Sequence, residues 1–499
     1  MDFFSVSGDW VHFFYALLGL TGIVVTGESI RKYFGWPGET TRQIIHVATG
    51  ILVFFSPVFL DSKIPAIVLG SFFTVFNFLA IRFEWLSGMH ATERKTYGTV
   101  YYPLSFTILA IVFWDQDKPA FMIAMAVLAL GDAVAAIVGE RVRHPHSFVW
   151  YRDRKSVEGT AAMFFTSLLV ILAAFYYLHA VGFYRGTFFE MMLIALCAAV
   201  LATVVEAMSS QGSDNLNIPI VTAMTVSFMT HAEPAIQWQF TASMLIAAMV
   251  AILSYRLRFL TAGGSTGAFL LGTVIFGVGG WKWAWPILLF FVTSSVLSKI
   301  GKQRKEHFEQ IFEKGHTRDL GQVAANGGMA GLAAVMSYYN PEARWYVIYL
   351  GVVAAVTSDT WGTEVGTFFN GSTRSILNFK KVEPGTSGGI SWQGMIGSLL
   401  GAGVIAASGW MFYNNFINSQ TLIFWWIVMA GLCGSLIDSW LGATFQAQYR
   451  CRVCNKITEK NIHCTETARL MRGFEFLTND RVNILCSFAG GLAAFLMIN

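Results

Sequence analysis

Charge is scarce in this chain. Only 13% of its 499 residues are Asp, Glu, Lys or Arg, against 55% that are hydrophobic, more apolar surface than one soluble core can bury. That excludes an ordinary soluble enzyme and a disordered chain alike. Cysteine is scarce too, and six residues are too few for a secreted disulfide scaffold of this length. No Walker-type phosphate loop or Rossmann fingerprint occurs, so a nucleotide would have to be held by other means. The net charge of +4 decides little, and no nucleic acid is expected as a partner.

What is present is a succession of apolar runs, each roughly 15 to 22 residues and broken by short polar turns, the pattern of bilayer-spanning helices and not of a period-2 barrel. The first, Trp10 to Val25, has neither a basic segment before it nor a small-residue cleavage site after it and reads as a retained helix. About sixteen spans are expected, from 10–27 to 483–498. All but five of the 34 lysines and arginines fall in alternate loops, the exceptions being Lys63, Lys118, Arg185, Lys282 and Arg344. Cytoplasmic loops hold the excess basic residues, so both termini should lie outside and the long polar loops should face the cytoplasm. The expectation is an all-α polytopic protein, integral to a bacterial cytoplasmic membrane and surrounded by its lipid.

Motif order points to an internal repeat. Arg42-Gln-Ile-Ile-His46-Val-Ala lines up with Arg318-Asp-Leu-Gly-Gln322-Val-Ala, and Gly131-Asp132-Ala-Val-Ala with Ser358-Asp359-Thr-Trp-Gly. Lys155-Ser-Val-Glu158-Gly159-Thr160 lines up with Lys381-Val-Glu383-Pro-Gly385-Thr386, and Asp214-Asn-Leu-Asn217 with Asp480-Arg-Val-Asn483. Any one pair is weak, but the four recur in one order, with 27 residues from Asp132 to Gly159 and 26 from Asp359 to Gly385. Two tandem homologous bundles are therefore expected, 1–255 and 256–499, in the same orientation.

An Asp at the end of an apolar helix, as Asp132 and Asp359 both are, is costly beside hydrocarbon without a partner cation. Taken singly, each fits a helix cap or an ion pair; repeated, they read as a site. The following loop brings Lys155, or Lys380 and Lys381, and then Gly159-Thr160 or Gly385-Thr386 opens a helix. Lysine, glycine and a helix N-terminus together suit a polyphosphate. Mg2+ bridging the phosphates needs hard oxygen ligands. Asp132, Glu158, Glu206 and Asp214 offer them in the first half, and Asp359, Glu364, Asp438 and Asp480 in the second.

These residues also carry a resemblance. Residues 40–220 resemble the phytol and dolichol kinase group of CTP-dependent membrane polyprenol kinases, through Arg42-x-x-x-His46, Gly131-Asp132, Lys155-Ser-Val-Glu158-Gly159-Thr160, Glu206 and Asp214-Asn215. Residues 256–498 resemble the phytyl-phosphate kinase or TMEM-nineteen-like proteins, and this match is the more specific. It rests on Gly263-Gly264-Ser265-Thr266-Gly267, Ser298-Lys299-Ile-Gly301-Lys302, Gln322-Val-x-Ala-Asn326, Ser358-Asp359-Thr360-Trp-Gly-Thr-Glu364, Gly385-Thr386, Asp438-Ser439 and Asn479-Asp480. The resemblance implies a fusion of two successive kinases that turn a long-chain isoprenoid alcohol into its monophosphate and then its diphosphate, with CTP as donor. The rival readings are a lipid or prenyl-phosphate transporter or flippase, and a CTP-dependent cytidylyltransferase that releases pyrophosphate.

The repeat differs where His46 aligns with Gln322. An alcohol benefits from a positioned base, which imidazole can be, whereas a phosphate monoester is already an anion. That assigns the alcohol step to the first half, with His46 catalytic beside Asp132, and the monophosphate step to the second, with Asp359 catalytic. Arg42 in the first half, and Lys299, Lys302, Arg318 and Asn326 in the second, are expected phosphate or nucleotide ligands, although Lys299 and Lys302 also fit a positive-inside anchor. Cys451-x-x-Cys454 and His463-Cys464 lie in a polar loop, 445–475, in a spacing that suits structural Zn2+.

Overall fold

The computed structural model describes residues 7–83, 96–300, 317–369, 371–410, 412 and 420–498; Lys302 lies outside them. The chain divides into two compact units, Met1–Glu233 and Pro234–Asn499. This break falls one helix before the expected 255, because the helix Pro234–Arg256 packs along Ala262–Gly279 of the second unit.

The first unit runs α1 (Ser7–Phe34), α2 (Gly38–Phe54), α3 (Ser56–Phe59), α4 (Lys63–Arg82), α5 (Gly98–Phe113), α6 (Lys118–Ala126), a π-helical turn (Val127–Asp132), α7 (Ala133–Arg141), α8 (Val157–Ala180), α9 (Phe188–Met208) and α10 (Asp214–His231). At its centre is α6. The Asp117 carboxylate accepts from Ala120 N–H to cap it, Pro119 opens it, and every residue from Ala120 to Ala126 is buried. α2, α5, α8 and α10 surround it. A residue run apolar on all sides belongs inside a bundle.

The second unit runs α11 (Pro234–Arg256), α12 (Ala262–Gly279), α13 (Trp281–Lys299), α14 (Leu320–Tyr339), α15 (Arg344–Phe369), α16 (Trp392–Trp410), α17 (Gln420–Thr444) and α18 (Asn479–Ile498). Here α15 takes the centre, buried from Tyr349 to Ser358 and packed by α13, α14, α16, α17 and α18. Small residues make those crossings close. A Cβ on Gly351 would lie 2.8 Å from the Gly490 carbonyl oxygen, and one on Gly434 2.4 Å from Ala355 Cβ, the device by which membrane helices gain contact where no hydrophobic effect separates them from lipid.

Among the described residues ten helices are long and apolar enough to cross a membrane, and Gly98–Phe113 is apolar but shorter. The expected sixteen also counted shorter and more polar segments. The helical expectation holds for the body of both units, but the polar loops carry short antiparallel strands that the apolar pattern does not signal: β1 (Ser147–Val149) with β2 (Arg154–Ser156), and β3 (Arg374–Ser375) with β4 (Gly389–Ile390). Beyond α17, β5 (Gln448–Arg450) lies between β6 (Ile457–Thr458) and β9 (Arg469–Arg472), and β7 (Ile462–His463) pairs with β8 (Glu466–Thr467).

One local construction occurs in both units. After the central helix and a β-pair, Ser156 caps α8 by accepting from Gly159 N–H at 3.1 Å, and Ser391 accepts from Gly394 N–H at the start of α16 at 3.1 Å. A Cβ on Gly139 would meet Ser156 Oγ at 3.1 Å, and one on Gly366 would meet Ser391 Oγ at 3.1 Å; Cβ atoms on Gly159 and Gly394 would each stand 3.0 Å from a carbonyl, of Ala135 and of Gly362. The spatial counterpart of Gly159 is thus Gly394. The sequence pairing with Gly385 is corrected accordingly, since Gly385 sits in a turn at φ 81° and opens no helix.

Candidate functional site

In the first unit the expected residues converge where the buried central helix ends. The π-helical turn displaces the backbone there, and His46 on α2 bonds the Leu128 carbonyl through Nε2 at 3.0 Å. A carbonyl only accepts, so Nε2 carries the proton and the basic lone pair is on Nδ1. The same Nε2 stands 4.0 Å from Asp132 Oδ2, and the ring meets Tyr102 edge-on at 4.9 Å. Lys155 reaches in from β2 to an ion pair with Glu206 and lies 3.7 Å from Asp214 Oδ2. Burial works against its charge, but the carboxylates of Glu206 and Asp214 outweigh it and hold the ammonium above its usual value. Arg42 pairs with Glu39 and feels the charges of Asp132 and Asp214.

Asp132, Glu206, Asp214 and Lys155 therefore gather in one partly buried cluster of charge, with Arg42 at its exposed edge. Glu206 Oε2 and Asn215 Oδ1 are buried there without a hydrogen-bond partner, as a site for a hard cation or a polar ligand leaves them. Glu158, expected among the metal ligands, is instead turned to His146, bonding its Nδ1 at 2.7 Å. Gly159 allows the close crossing of α7 and α8, and the hydroxyl of Thr160 beside it is buried without a partner. Tyr102, whose buried hydroxyl also has no partner, was missed; a tyrosine inside an apolar run gives no signal of its own.

In the second unit Asp359, at the end of the buried stretch of α15, stands beside Asp438 and Ser435 of α17. Asp438 Oδ1 is buried without a partner, and Glu459 adds its charge from the polar loop. Asp480 lies in the first turn of α18, which packs on α15. Glu364 accepts from Ser298 Oγ at 2.5 Å and faces Arg318. Arg318 lies over the Phe290 ring at 5.4 Å, and burial draws it down to about 10, with Glu364 opposing. With Gln322 and Asn326 it forms the polar edge of an otherwise apolar cavity of about 110 Å³ between α11, α12, α13 and α14.

Several expected ligands are placed elsewhere. Lys299 is held by the Leu257 carbonyl at 2.7 Å and the face of Phe259. Lys380 and Lys381 are exposed on the loop between β3 and β4, and Thr386 Oγ1 donates to the Glu383 carbonyl at 2.7 Å. Gln322 closes a capping box with Asp319 at the start of α14, whereas His46 stands mid-helix. The two side chains thus serve different local roles.

The cysteine loop folds as a knot. The donor atoms of Cys451, Cys454, His463 and Cys464 all lie within 4.8 Å of one another. Val453 and Cys454 N–H groups donate to Cys451 Sγ at 3.4 and 3.5 Å. The Cys454 N–H contributes most to drawing the Cys451 thiol down to about 6, which favours the thiolate a metal needs. Four soft donors in this arrangement fit a closed tetrahedral Zn2+ site with no open position for catalysis.

Helices able to span a bilayer, with acidic clusters buried at the ends of their central members, define an integral membrane protein. Residues 245–491 match the family described as Integral membrane protein DUF92, and Protein PGR of Arabidopsis thaliana is 30% identical over 288 residues, 52% of this chain and 98% of that protein. The chain belongs to this family. It is also similar to Phytol kinase of Synechocystis, 29% identical over 43% of this chain and 90% of that protein. Phytol kinase 1, chloroplastic, of Arabidopsis thaliana is 25% identical over 41% of this chain and 71% of that protein. No solved structure matches.

Proposed function

We propose that the protein is a membrane kinase of isoprenoid alcohols, with the first unit phosphorylating the alcohol and the second phosphorylating the monophosphate, CTP and Mg2+ serving both. The reading is supported above all by the pair of acidic clusters, each at the end of its unit's central helix and each followed by the same serine cap and glycine crossing. That recurrence favours two homologous bundles. Two of the relatives are named phytol kinases, which supports an isoprenoid alcohol as substrate.

In the first unit Asp132, Glu206 and Asp214 would hold the cation, which when bound would neutralise charge on the transferring phosphoryl group. Lys155 and Arg42 would bind and orient the phosphates. His46, held by the Leu128 carbonyl, would take the alcohol proton at Nδ1. In the second unit Asp359 and Asp438 would hold the cation. The narrow apolar cavity edged by Arg318 and Asn326 has room for a short apolar segment next to an anionic group.

Purified protein incubated with labelled CTP, Mg2+ and phytol or geranylgeraniol is expected to release CDP and to yield mono- and then diphosphate. Release of pyrophosphate would instead assign cytidylyl transfer, and absence of any nucleotide turnover would favour a carrier.

A further inference from the structure

We propose that Glu459, clamped by the cysteine–histidine knot, is a positioning residue of the second carboxylate site, so that a structural metal controls the second phosphorylation. The proposal rests on the reading of Asp359 and Asp438 as that site. Glu459 lies in the chain between Cys454 and His463. The segment that carries it therefore has both ends gathered into the one set of four donors. Asn455, Cys464 and Thr465 take positive φ to turn it, a conformation that costs side-chain-bearing residues energy and that persists only where the surroundings enforce it. A metal bound by all four would supply that constraint.

From this clamp Glu459 reaches the loop between β3 and β4. Its Oε1 accepts from Ser387 Oγ at 2.6 Å, a charge-assisted bond about twice as strong as a neutral one. Its charge bears on Asp438. Ser387 stands between Gly385 and Gly388, both at positive φ, in a loop pressed on the helix that carries Asp438: a Cβ on Gly388 would come within 2.7 Å of the Ala443 backbone. Knot, Glu459, Ser387, glycine loop and α17 thus form one mechanical series. Loss of the metal would free Glu459, and the loop would lose its anchor beside the acidic pair.

Hydrogen–deuterium exchange on the full chain, before and after treatment with a zinc-selective chelator, tests this directly. Chelation and Glu459→Ala should each speed exchange across 385–389 about tenfold or more, and Glu459→Gln, which keeps an acceptor for Ser387, should restore protection. Turnover of added prenyl monophosphate should fall about tenfold in Glu459→Ala and in Ser387→Ala and no further in the double variant, with turnover of the alcohol unchanged. Exchange at 385–389 that ignores both chelation and Glu459→Ala would overturn the proposal, as would Glu459→Gln behaving like Glu459→Ala. If the wild type leaves the monophosphate untouched, the assignment of the second site fails, while the exchange measurement still decides the role of Glu459.

Discussion

At the scale of the residue, the acidic side chains are separable between units. On the proposed reading, Asp132→Asn should abolish phosphorylation of the alcohol and spare that of added monophosphate, and Asp359→Asn should do the reverse, each replacing a proposed cation ligand by a neutral isostere. Assays with each substrate supplied separately decide this; loss of both steps in either variant would sink the division of labour. His46→Gln should lower alcohol turnover about 100-fold or more while monophosphate turnover stays near wild type. The structure narrows the reason. His46 stands 4.0 Å from Asp132 with its Nε2 proton committed to the Leu128 carbonyl, whereas Gln322 serves a helix cap. Unchanged alcohol turnover would remove His46 from the chemistry.

At the scale of the element, the glycine crossings and the knot carry the consequences. Gly394→Val would place a side chain 3.0 Å from the Gly362 carbonyl, as Gly159→Val would against Ala135. Overpacking of this kind costs about 1–3 kcal/mol. Each variant should unfold at lower temperature in detergent, and a wild-type unfolding curve for either would contradict the close crossing. The knot should retain about one equivalent of zinc per chain through purification under reducing conditions, and Cys454→Ser should lower that stoichiometry. Metal analysis near zero for the wild type would exclude the zinc site.

At the scale of the whole molecule, the asymmetry of basic residues carries an expectation of which membrane face holds which loops. Cysteines introduced singly at Arg152 and at Lys381, in a chain that keeps Cys451, Cys454 and Cys464 and is compared with that parent, should add labelling by an impermeant reagent in inside-out vesicles and not in intact cells. Cysteines at Arg185 and Lys282 should show the opposite pattern. Labelling of positions 152 and 381 from different sides would contradict two units in the same orientation.

Composition and apolar run length alone determined that this is a helical membrane protein, because burial of so much apolar surface in lipid has few structural solutions. Local pattern also made Asp132 and Asp359 visible as out-of-place charges, and the Cys-x-x-Cys with His463-Cys464 visible as a donor set, since both signals are contained within a few consecutive residues. Tertiary structure decided what distance along the chain conceals. The turn from α6 into a π-helix that delivers the Leu128 carbonyl to His46, the pairing of Lys155 with Glu206 across 51 residues, and the approach of Glu459 to Ser387 across 72 depend on helix packing. Spacing misled where a loop changed length: Gly385 aligns with Gly159 by count, but the serine cap and the crossing of small residues select Gly394, because backbone approach between helices is set by side-chain volume in space and not by position in the chain.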